Sequence, residues 1–321
     1  MDSSRLRLAC AEGSSMPGTR EILVTEGLWK RYGELTAVAD MNLQVFDREV
    51  FSFLGPNGSG KSTTVGMILG LVRPTKGRAL VFGDDVTVKP WPALRNVGAV
   101  IETPAFYPYL SGYDNLKYLA LALGDVPFPR LDQMLELVGL RERAHDPFKN
   151  YSLGMKQRLG IASTLLRDPE LIVLDEPTNG LDPAGTREVR ELIPRLAQEG
   201  HSVFLCSHLL NEVQAVSDRV AIVKRGRMVA QGTVNELLGR GQYLRLQSDD
   251  NEALLRALGT VPFVSAAERM DGYIRAATPT ARAGELNRTL AAQGLWLTEL
   301  SNWEVELESV FLELTGEAID A

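Results

Sequence analysis

A phosphate-binding loop is the strongest chemical signal in this chain. Residues 55–63 read Gly-Pro-Asn-Gly-Ser-Gly-Lys-Ser-Thr and match the pattern G-x-x-x-x-G-K-[ST]. Glycines let backbone N–H groups turn inward around phosphate oxygens, and a helix that starts at the loop adds the positive end of its dipole. The loop therefore predicts a nucleotide whose β- and γ-phosphates meet Lys61 and whose Mg²⁺ meets Ser62. The predicted nucleotide contacts in the loop are Gly55, Asn57, Gly58, Gly60, Lys61, Ser62 and Thr63.

Two carboxylates and a histidine follow apolar runs elsewhere in the chain. Asp175 ends the run Leu171–Leu174, where a carboxylate is suited to bind Mg²⁺. Glu176 comes next and is placed to polarise a water in line with the γ-phosphate, so it is the candidate general base. An Asp-Glu pair is more often only a solvated strand end. His208 follows the run that ends near Cys206 and is predicted to hydrogen-bond the γ-phosphate, although a lone histidine is usually structural.

The elements needed to position these residues form an alternating α/β pattern over residues 21–240. Val50–Leu54 is predicted to be the strand before the loop and Thr63–Leu71 the helix after it, which argues against a ligand-free turn. Short apolar runs at Leu171–Leu174 and Ser202–Leu205 are typical of central strands covered on both faces. Further strands are predicted at Glu21–Thr25, Leu43–Phe46, Val97–Ile101, Val220–Lys224 and Met228–Gln231, with a helix at Thr186–Gln198.

Residues 241–321 have a different character, and we predict a small α+β accessory domain there. Its strands are predicted at Tyr243–Gln247, Tyr273–Ala276 and Leu295–Leu300, and its helices at Asn251–Leu258, Thr280–Gln293 and Glu306–Leu314. Residues 1–20 are polar and are predicted to be a flexible tail. The first domain would thus span 21–240.

Composition limits the partners. The 321 residues carry a net charge of −7, which argues against a nucleic-acid partner held by a basic surface. Two distant cysteines, Cys10 and Cys206, form no disulfide framework and indicate a reducing compartment. No apolar run reaches the roughly 18 residues that a membrane-spanning helix needs.

The motifs together resemble those of the ATPase subunit of an ATP-binding cassette (ABC) transporter. Residues 151–158, Tyr-Ser-Leu-Gly-Met-Lys-Gln-Arg, resemble the family's signature sequence L-S-G-G-Q, and Asn179–Asp182 resembles its D-loop. Ser207-His208 is similar to the switch histidine, and Tyr32 to the aromatic that stacks on adenine. The resemblance implies a P-loop NTPase cassette, with a helical subdomain at about 103–165, that hydrolyses ATP with Mg²⁺.

The same resemblance implies a head-to-tail pair of cassettes, either a homodimer or a pairing with a second cassette. ATP would lie between the phosphate loop of one cassette and the signature segment of the other. Ser152 and Gly154 would contact the γ-phosphate across the interface, and Asp182 would lie at the same nucleotide. Leu153 and Met155 depart from the family pattern, since they stand where its first Gly and its Gln occur.

Glu102 is a further departure, because the family usually has Gln at this strand end. The resemblance implies that Glu102 reaches toward Mg²⁺ and the attacking water. The loop after it carries four apolar or aromatic residues, Phe106, Tyr107, Tyr109 and Leu110. We predict that they contact a short helix of a membrane subunit, since exposed loop aromatics suit an interface. The alternative is that they fold back into the helical subdomain.

The segments around Glu102 and Ser152 resemble ATPase subunits of bacterial exporters for bacitracin, lantibiotic-type peptides and drugs. The resemblance implies a peripheral protein on the cytoplasmic face of the membrane that powers a separate permease, without nucleic acid. The alternative is a soluble cassette ATPase acting on ribosomes or DNA. Such proteins usually carry two cassettes or a long coiled coil, and this chain has one phosphate loop. A regulatory cassette that binds ATP without turnover is disfavoured by the joint presence of Lys61, Asp175, Glu176 and His208.

Overall fold

The computed structural model describes residues 20–238, 243–303 and 307–316, apart from the side chain of Glu313. The chain divides into two compact units, Met1–Val234 with Phe311–Ala321, and Asn235–Val310. Except for Arg20, the predicted tail of residues 1–20 lies outside the described residues, as does Cys10. Within the described parts, no helix is both long and apolar enough to cross a bilayer.

The central sheet of the first unit has six strands, in the order β11-β10-β4-β9-β8-β7. Its strands are β4 (Val50–Leu54), β7 (Val97–Val100), β8 (Leu171–Asp175), β9 (Ser202–Ser207), β10 (Arg219–Lys224) and β11 (Arg227–Thr233). All neighbours pair in parallel except β10 and β11, which form an antiparallel hairpin. The residues of β4, β8 and β9 are all buried, as expected of parallel strands covered on both faces.

A second, antiparallel sheet lies in the same unit. It contains β1 (Glu21–Tyr32), β2 (Leu35–Met41), β3 (Gln44–Phe46), β5 (Lys76–Val81) and β6 (Asp84–Asp85), with β1 pairing to β2, β3 and β5. Side chains from both sheets and from the helix after the phosphate loop share one apolar core. In this core the Phe204 ring stacks on Phe51 and meets Phe53 at a tilt. This core holds the end of β4 rigidly.

The helices of the first unit connect the strands of the central sheet. They are α1 (Lys61–Ile68), α2 (Pro90–Leu94), α3 (Gly112–Leu123), α4 (Pro129–Leu137), α5 (Leu153–Thr164), α6 (Pro183–Gln198) and α7 (Leu210–Val216). A short helix, α8 (Val234–Leu237), begins at the last residue of the unit's main segment. Helices α3, α4 and α5 follow β7 and bury Leu116, Leu135 and Leu159 in a second core. They lie within residues 103–165, the range in which a helical subdomain is predicted.

The second unit is a four-stranded antiparallel sheet in the order β13-β14-β12-β15. Its elements are β12 (Tyr243–Ser248), α9 (Asn251–Leu258), β13 (Ala266–Arg269), β14 (Ile274–Ala277), α10 (Ala283–Ala292) and β15 (Leu297–Asn302), and α11 (Leu307–Thr315) follows. This β-α-β-β-α-β order is the split β-α-β arrangement. Both helices bury leucines, among them Leu254 and Leu286, against the Leu244 and Leu246 face of the sheet.

Candidate functional site

Four strand ends bring the predicted catalytic residues to one edge of the central sheet. β4 leads into the phosphate loop, β7 ends before Glu102, β8 ends at Asp175 and β9 ends before His208. These strands run in parallel, so all four ends lie on the same side. Ligands of open parallel sheets bind outside the carboxyl ends of the strands.

The phosphate loop is held in shape by backbone contacts that exclude side chains. Gly60 has φ +98°, and a Cβ there would come within 2.5 Å of the carbonyl oxygen of Ala37. Only glycine fits such a position without strain. Gly60 is also the N-cap of α1, so the first turn of that helix points its free N–H groups toward the loop.

Lys61 lies at the centre of the predicted site. Its ammonium Nζ donates to the carbonyl oxygens of Gly55 at 2.7 Å and Pro56 at 3.3 Å. It also faces Glu176 Oε1 at 3.1 Å, as an ion pair without hydrogen-bond geometry. The lysine is only 6% exposed, so its charge acts in a poorly hydrated place, where electrostatic attraction to a phosphate is strong.

Glu176 joins the lysine to the histidine. Its other oxygen, Oε2, lies 2.7 Å from His208 Nδ1. The backbone of Glu176 has φ +49°, in the left-handed region that a non-glycine residue seldom occupies. Strain of this kind is commonly held at functional sites. Its side chain is about 20% exposed, and Oε1, which faces Lys61, is itself buried.

Asp175 has the properties of a metal ligand. The residue is 3% exposed, and its Oδ1 has no hydrogen-bond partner among the described residues. Burial raises the pKa of its carboxyl, the charge of Glu176 raises it further, and a hydrogen bond from Ser62 and the charge of Lys61 act in the opposite direction. A buried carboxylate oxygen without a partner is costly, and Mg²⁺ prefers oxygen ligands of this kind. The Asp175 carboxylate and the Ser62 hydroxyl therefore fit a Mg²⁺ ion.

Glu102 lies at the edge of this group. It is exposed and has φ +57° just after β7. Its negative charge contributes to the raised pKa of Asp175, which places the two carboxylates within electrostatic reach of each other. The predicted role of Glu102 beside the metal is compatible with this position.

A cavity of about 510 Å³ opens beside the phosphate loop. Besides loop residues it is lined by Tyr32, Leu35, Thr36, Ala37, Glu176 and Arg225. The Tyr32 ring is 49% exposed and has Lys30 Nζ 4.8 Å from its centroid. An adenine base could stack on this ring while its phosphates reach the loop.

The signature segment and Asp182 occupy two other helix starts. Ser152 caps α5 by accepting a hydrogen bond from Met155 N at 3.2 Å, and Asp182 caps α6 by accepting one from Gly185 N at 3.0 Å. Within the described part of the chain, Ser152, Gly154 and Asp182 do not line the 510 Å³ cavity. Within one chain, these three residues therefore lie away from the cavity that Lys61 and Glu176 line.

Comparison with known proteins gives a consistent result. Residues 38–179 match the family model described as ABC transporter. The chain is 38% identical over 297 residues to the bacitracin transport ATP-binding protein BcrA of Enterococcus faecalis, covering 92% of this chain and 96% of that protein. It is 39% identical over 210 residues to the lantibiotic transport ATP-binding protein SrtF of Streptococcus pyogenes, covering 65% of this chain and 90% of that protein.

A solved structure agrees. CbiO1 of Clostridium perfringens, part of the ABC transporter complex CbiONQ, matches with a TM-score of 0.63 at 28% identity, over 68% of this chain and 90% of that one. This chain belongs to the ABC transporter family. It is an ATP-binding cassette with the P-loop NTPase fold, and it hydrolyses ATP. The fold class and family predicted from the sequence are confirmed.

The cassette also contains features that the sequence motifs did not indicate. Arg225 lines the nucleotide cavity because the β10–β11 hairpin is fixed beside the loop, where Gly226 N donates to the carbonyl oxygen of Ser59 at 2.9 Å. The predicted strands Val220–Lys224 and Met228–Gln231 flank this turn, but nothing in the sequence places it beside the phosphate loop. Thr36 and Ala37 reach the cavity from β2, a strand absent from the sequence prediction.

The loop aromatics divide between the two predicted alternatives. Phe106 is partly buried, packs against the helical core and meets the Phe148 ring edge-on at 5.2 Å, which agrees with the alternative that it folds back into the helical subdomain. Tyr109 is 82% exposed, and Tyr107 is 53% exposed, with its ring against that of Tyr118. These two tyrosines remain available for a partner.

Proposed function

We propose that this ABC ATPase works as a head-to-tail pair of cassettes, each of which completes the nucleotide site of the other. The observation that carries this proposal is the separation described above. Lys61, Ser62 and Glu176 line the nucleotide cavity, whereas Ser152 and Gly154 at the start of α5 do not. A second cassette would bring its signature segment to the γ-phosphate, where the N-terminus of α5 favours an anion.

In this proposal the residues of one cassette divide the chemistry. Lys61 releases the carbonyl oxygens of its own loop and binds the β- and γ-phosphates. Glu176 accepts a proton from the attacking water, and His208 orients the Glu176 carboxylate through the 2.7 Å contact. Mg²⁺, held by Asp175 and Ser62, would supply charge neutralisation at the phosphates. Once the γ-phosphate leaves, the link between the two cassettes is lost and the pair opens.

Mixing two inactive variants tests the shared site. Lys61→Ala damages the phosphate loop and Ser152→Ala the signature segment, so each variant alone should lose most of its ATPase activity. A mixed pair has one site with both defects and one intact site. Recovery of activity on mixing supports the proposal, and a mixture as inactive as its components contradicts it. A mixture of two Lys61→Ala preparations serves as the control.

We further propose that the cassette powers a bacterial exporter for an antibiotic, peptide or drug, from the cytoplasmic face of the membrane. Support comes from the relatives, which are named as bacitracin and lantibiotic transport ATP-binding proteins. A separate permease is then required. A groove of about 840 Å³ between α2, β7 and α3 offers it a place, lined by Trp91, Leu94, Val97, Leu119, Ala122 and Leu123.

The groove suits a short amphipathic helix of the permease. Its apolar lining would cover one helix face, and Arg95 at the groove could pair with an acidic residue of that helix. Trp91 is 82% exposed, an unusual degree for tryptophan in the absence of a partner.

Purification from native membranes in mild detergent tests the permease assignment. Mass spectrometry should identify a stoichiometric partner with membrane-spanning helices and no ATPase motifs. Recovery of ribosomal proteins, or of no membrane protein, would contradict the assignment and favour the soluble alternative.

We propose that the accessory unit stabilises the pair of cassettes by contacting its counterpart in the second copy. Tyr243 and Arg245 alternate with the buried leucines of β12, so they lie on the sheet face away from the helices. On this face the Arg245 guanidinium lies 4.1 Å from the Tyr273 ring centroid, and Tyr273 stacks on Trp303 at 5.2 Å. Tyr, Trp and Arg are the residues enriched in protein interfaces.

Substitution tests this role better than deletion of residues 242–321, because Phe311–Ala321 belongs to the first unit. The Arg245→Ser/Tyr273→Ser variant should dimerise more weakly, with ATP binding to the single cassette unchanged. Unaltered dimerisation would contradict this part of the proposal.

A further inference from the structure

The signature segment and the D-loop lie side by side in this cassette. Ser152 and Asp182 cap the adjacent helices α5 and α6 in the same way, each with its side chain accepting from a backbone N–H three residues on. Both caps have extended backbone, with φ −62° and ψ 165° at Ser152 and φ −71° and ψ 165° at Asp182. The signature segment and the D-loop are both predicted to face the partner's nucleotide, and they lead into adjacent helices that have the same kind of cap.

Two glycines let the helix starts touch. A Cβ on Gly154 would lie 3.2 Å from the Cα of Gly185, and a Cβ on Gly185 would lie 3.5 Å from the Cα of Gly154. The same Cβ on Gly185 would also come within 2.9 Å of the Asp182 Oδ1 that caps the helix. Neither position can carry a side chain unless α5 or the cap moves.

The Leu153 side chain lies next to the D-loop, beside this backbone contact. Its Cδ2 lies 3.4 Å from where a Cβ of Gly180 would be, in the D-loop. Gly180 has φ +74°, so the loop bends in a conformation that favours glycine and leaves space for the leucine. Leu153 is 41% exposed, which means that more than half of its surface is covered.

The pairing continues beyond the helix starts. Arg158 on α5 forms an ion pair of 3.0 Å with Glu188 on α6, and the arginine side chain is only 11% exposed. Met155 and Leu181 both pack against the same helical core. The close approach of the two glycines, the Leu153 side chain and the Arg158–Glu188 ion pair all oppose sliding of one helix past the other.

We propose that Leu153 is a positioning residue that ties the signature segment to the D-loop, so that both reach the partner's nucleotide as one rigid unit. The proposal rests on the head-to-tail pairing proposed above. In the family pattern a glycine occupies this position and has no side chain to make the contact. Here the signature segment and the D-loop become ordered together when the pair of cassettes closes around ATP. Ordering one unit instead of two lowers the conformational entropy cost of closure.

The test measures ATP-driven dimerisation in a Glu176→Gln background, where hydrolysis does not reopen the pair. Leu153→Ala removes the Cδ2 contact and keeps a good helix former. It should raise the ATP concentration for half-maximal dimer, seen by analytical ultracentrifugation, about five- to tenfold. Leu153→Met, which conserves volume, should restore the Glu176→Gln behaviour. Leu121→Ala, at a leucine that is 63% exposed on α3, is the matched control.

Steady-state kinetics with Glu176 intact gives a second readout. Leu153→Ala should raise the KM for ATP with little change in kcat, and binding of ADP to the single cassette should be unaltered. A merely structural defect would lower ADP binding and thermal stability together.

The outcomes separate this inference from the proposed function. If Glu176→Gln fails to dimerise with ATP, the head-to-tail pairing itself is wrong. If Glu176→Gln dimerises and Leu153→Ala dimerises at the same ATP concentration, the pairing stands and the positioning role is overturned. A Leu153→Met variant as impaired as Leu153→Ala would also overturn it.

Discussion

Glu176 bridges Lys61 and His208 with its two carboxylate oxygens, at 3.1 Å from the lysine Nζ and 2.7 Å from the histidine Nδ1. The contact to His208 fixes one oxygen, and the other faces the phosphate loop. A ligand that draws Lys61 onto its phosphates would leave that second oxygen free to accept a proton. The arrangement therefore links binding of the γ-phosphate to exposure of the base.

Glu176→Gln should abolish turnover and retain ATP binding. The amide oxygen keeps a contact to His208 but cannot accept a proton from water. We expect kcat to fall at least about 100-fold, the usual contribution of a general base. Phosphate release and equilibrium binding of labelled ATP measure the two effects. Turnover like that of the parent would show that another group is the base.

Glu102→Gln should retain ATP binding and alter the coupling of hydrolysis to transport. The substitution removes a negative charge that raises the pKa of Asp175, so Asp175 should ionise more readily. Glutamine can also donate a hydrogen bond where ionised glutamate cannot. The ratio of cargo transported to ATP hydrolysed, measured in proteoliposomes with the permease, is the readout. Unchanged ATPase and transport rates would contradict the prediction.

The strand ends of the site were predictable because buried parallel strands appear in the sequence as short apolar runs. Leu171–Leu174 and Val50–Leu54 were recognised in this way, and the residues that follow them then fell at one edge of the sheet. β13 was missed because Ala-Ala-Glu-Arg has little strand propensity and becomes a strand through its pairing with β14. Thr280–Gln293 was predicted to be one helix, but α10 begins only at Ala283, after a 3₁₀ turn.

Residues that reach a site through tertiary packing were not predictable. Arg225 reaches the nucleotide cavity because the neighbouring Gly226 is hydrogen-bonded to Ser59 in the phosphate loop. Ser59 and Gly226 are 167 positions apart in the sequence. The burial of Phe106 likewise depends on Phe148, which lies on a separate turn of the helical region. No local pattern distinguishes a loop aromatic that packs inward from one that awaits a partner.

Stability of the first unit should depend on pH through Glu49, at the opposite end of β4 from the phosphate loop. Burial raises the pKa of its carboxyl from 4.5 to about 7, against the lowering effect of a hydrogen bond from Phe46 N at 2.8 Å and of the Arg219 charge. Between these two values the folded state binds more protons than the unfolded state. The free energy of unfolding should therefore decrease as pH rises through that window, by up to about 3 kcal/mol.

Glu49→Gln imitates the protonated carboxyl at every pH. We expect it to match the parent near pH 5 and to be more stable near pH 8, with the denaturant midpoint as the measure. The exposed Glu191 on α6 provides the control, since Glu191→Gln should leave the pH dependence as it is in the parent. A parent protein whose stability is the same at both pH values, or is higher at pH 8 than at pH 5, would contradict the assignment.

Trp91→Ser should weaken permease binding without affecting the isolated cassette. The side chain is 82% exposed at the rim of the apolar groove, so its removal disturbs no core. A large aromatic anchor in such a groove contributes about 2 kcal/mol or more to binding, and its loss should lower affinity at least about 30-fold. Trp296→Ser removes a tryptophan that is 74% exposed in the accessory unit and is the matched control. Equal recovery of the permease with both variants in membrane co-purification would place the docking surface elsewhere, whereas selective loss with Trp91→Ser would identify the groove as the route by which ATP hydrolysis reaches the membrane.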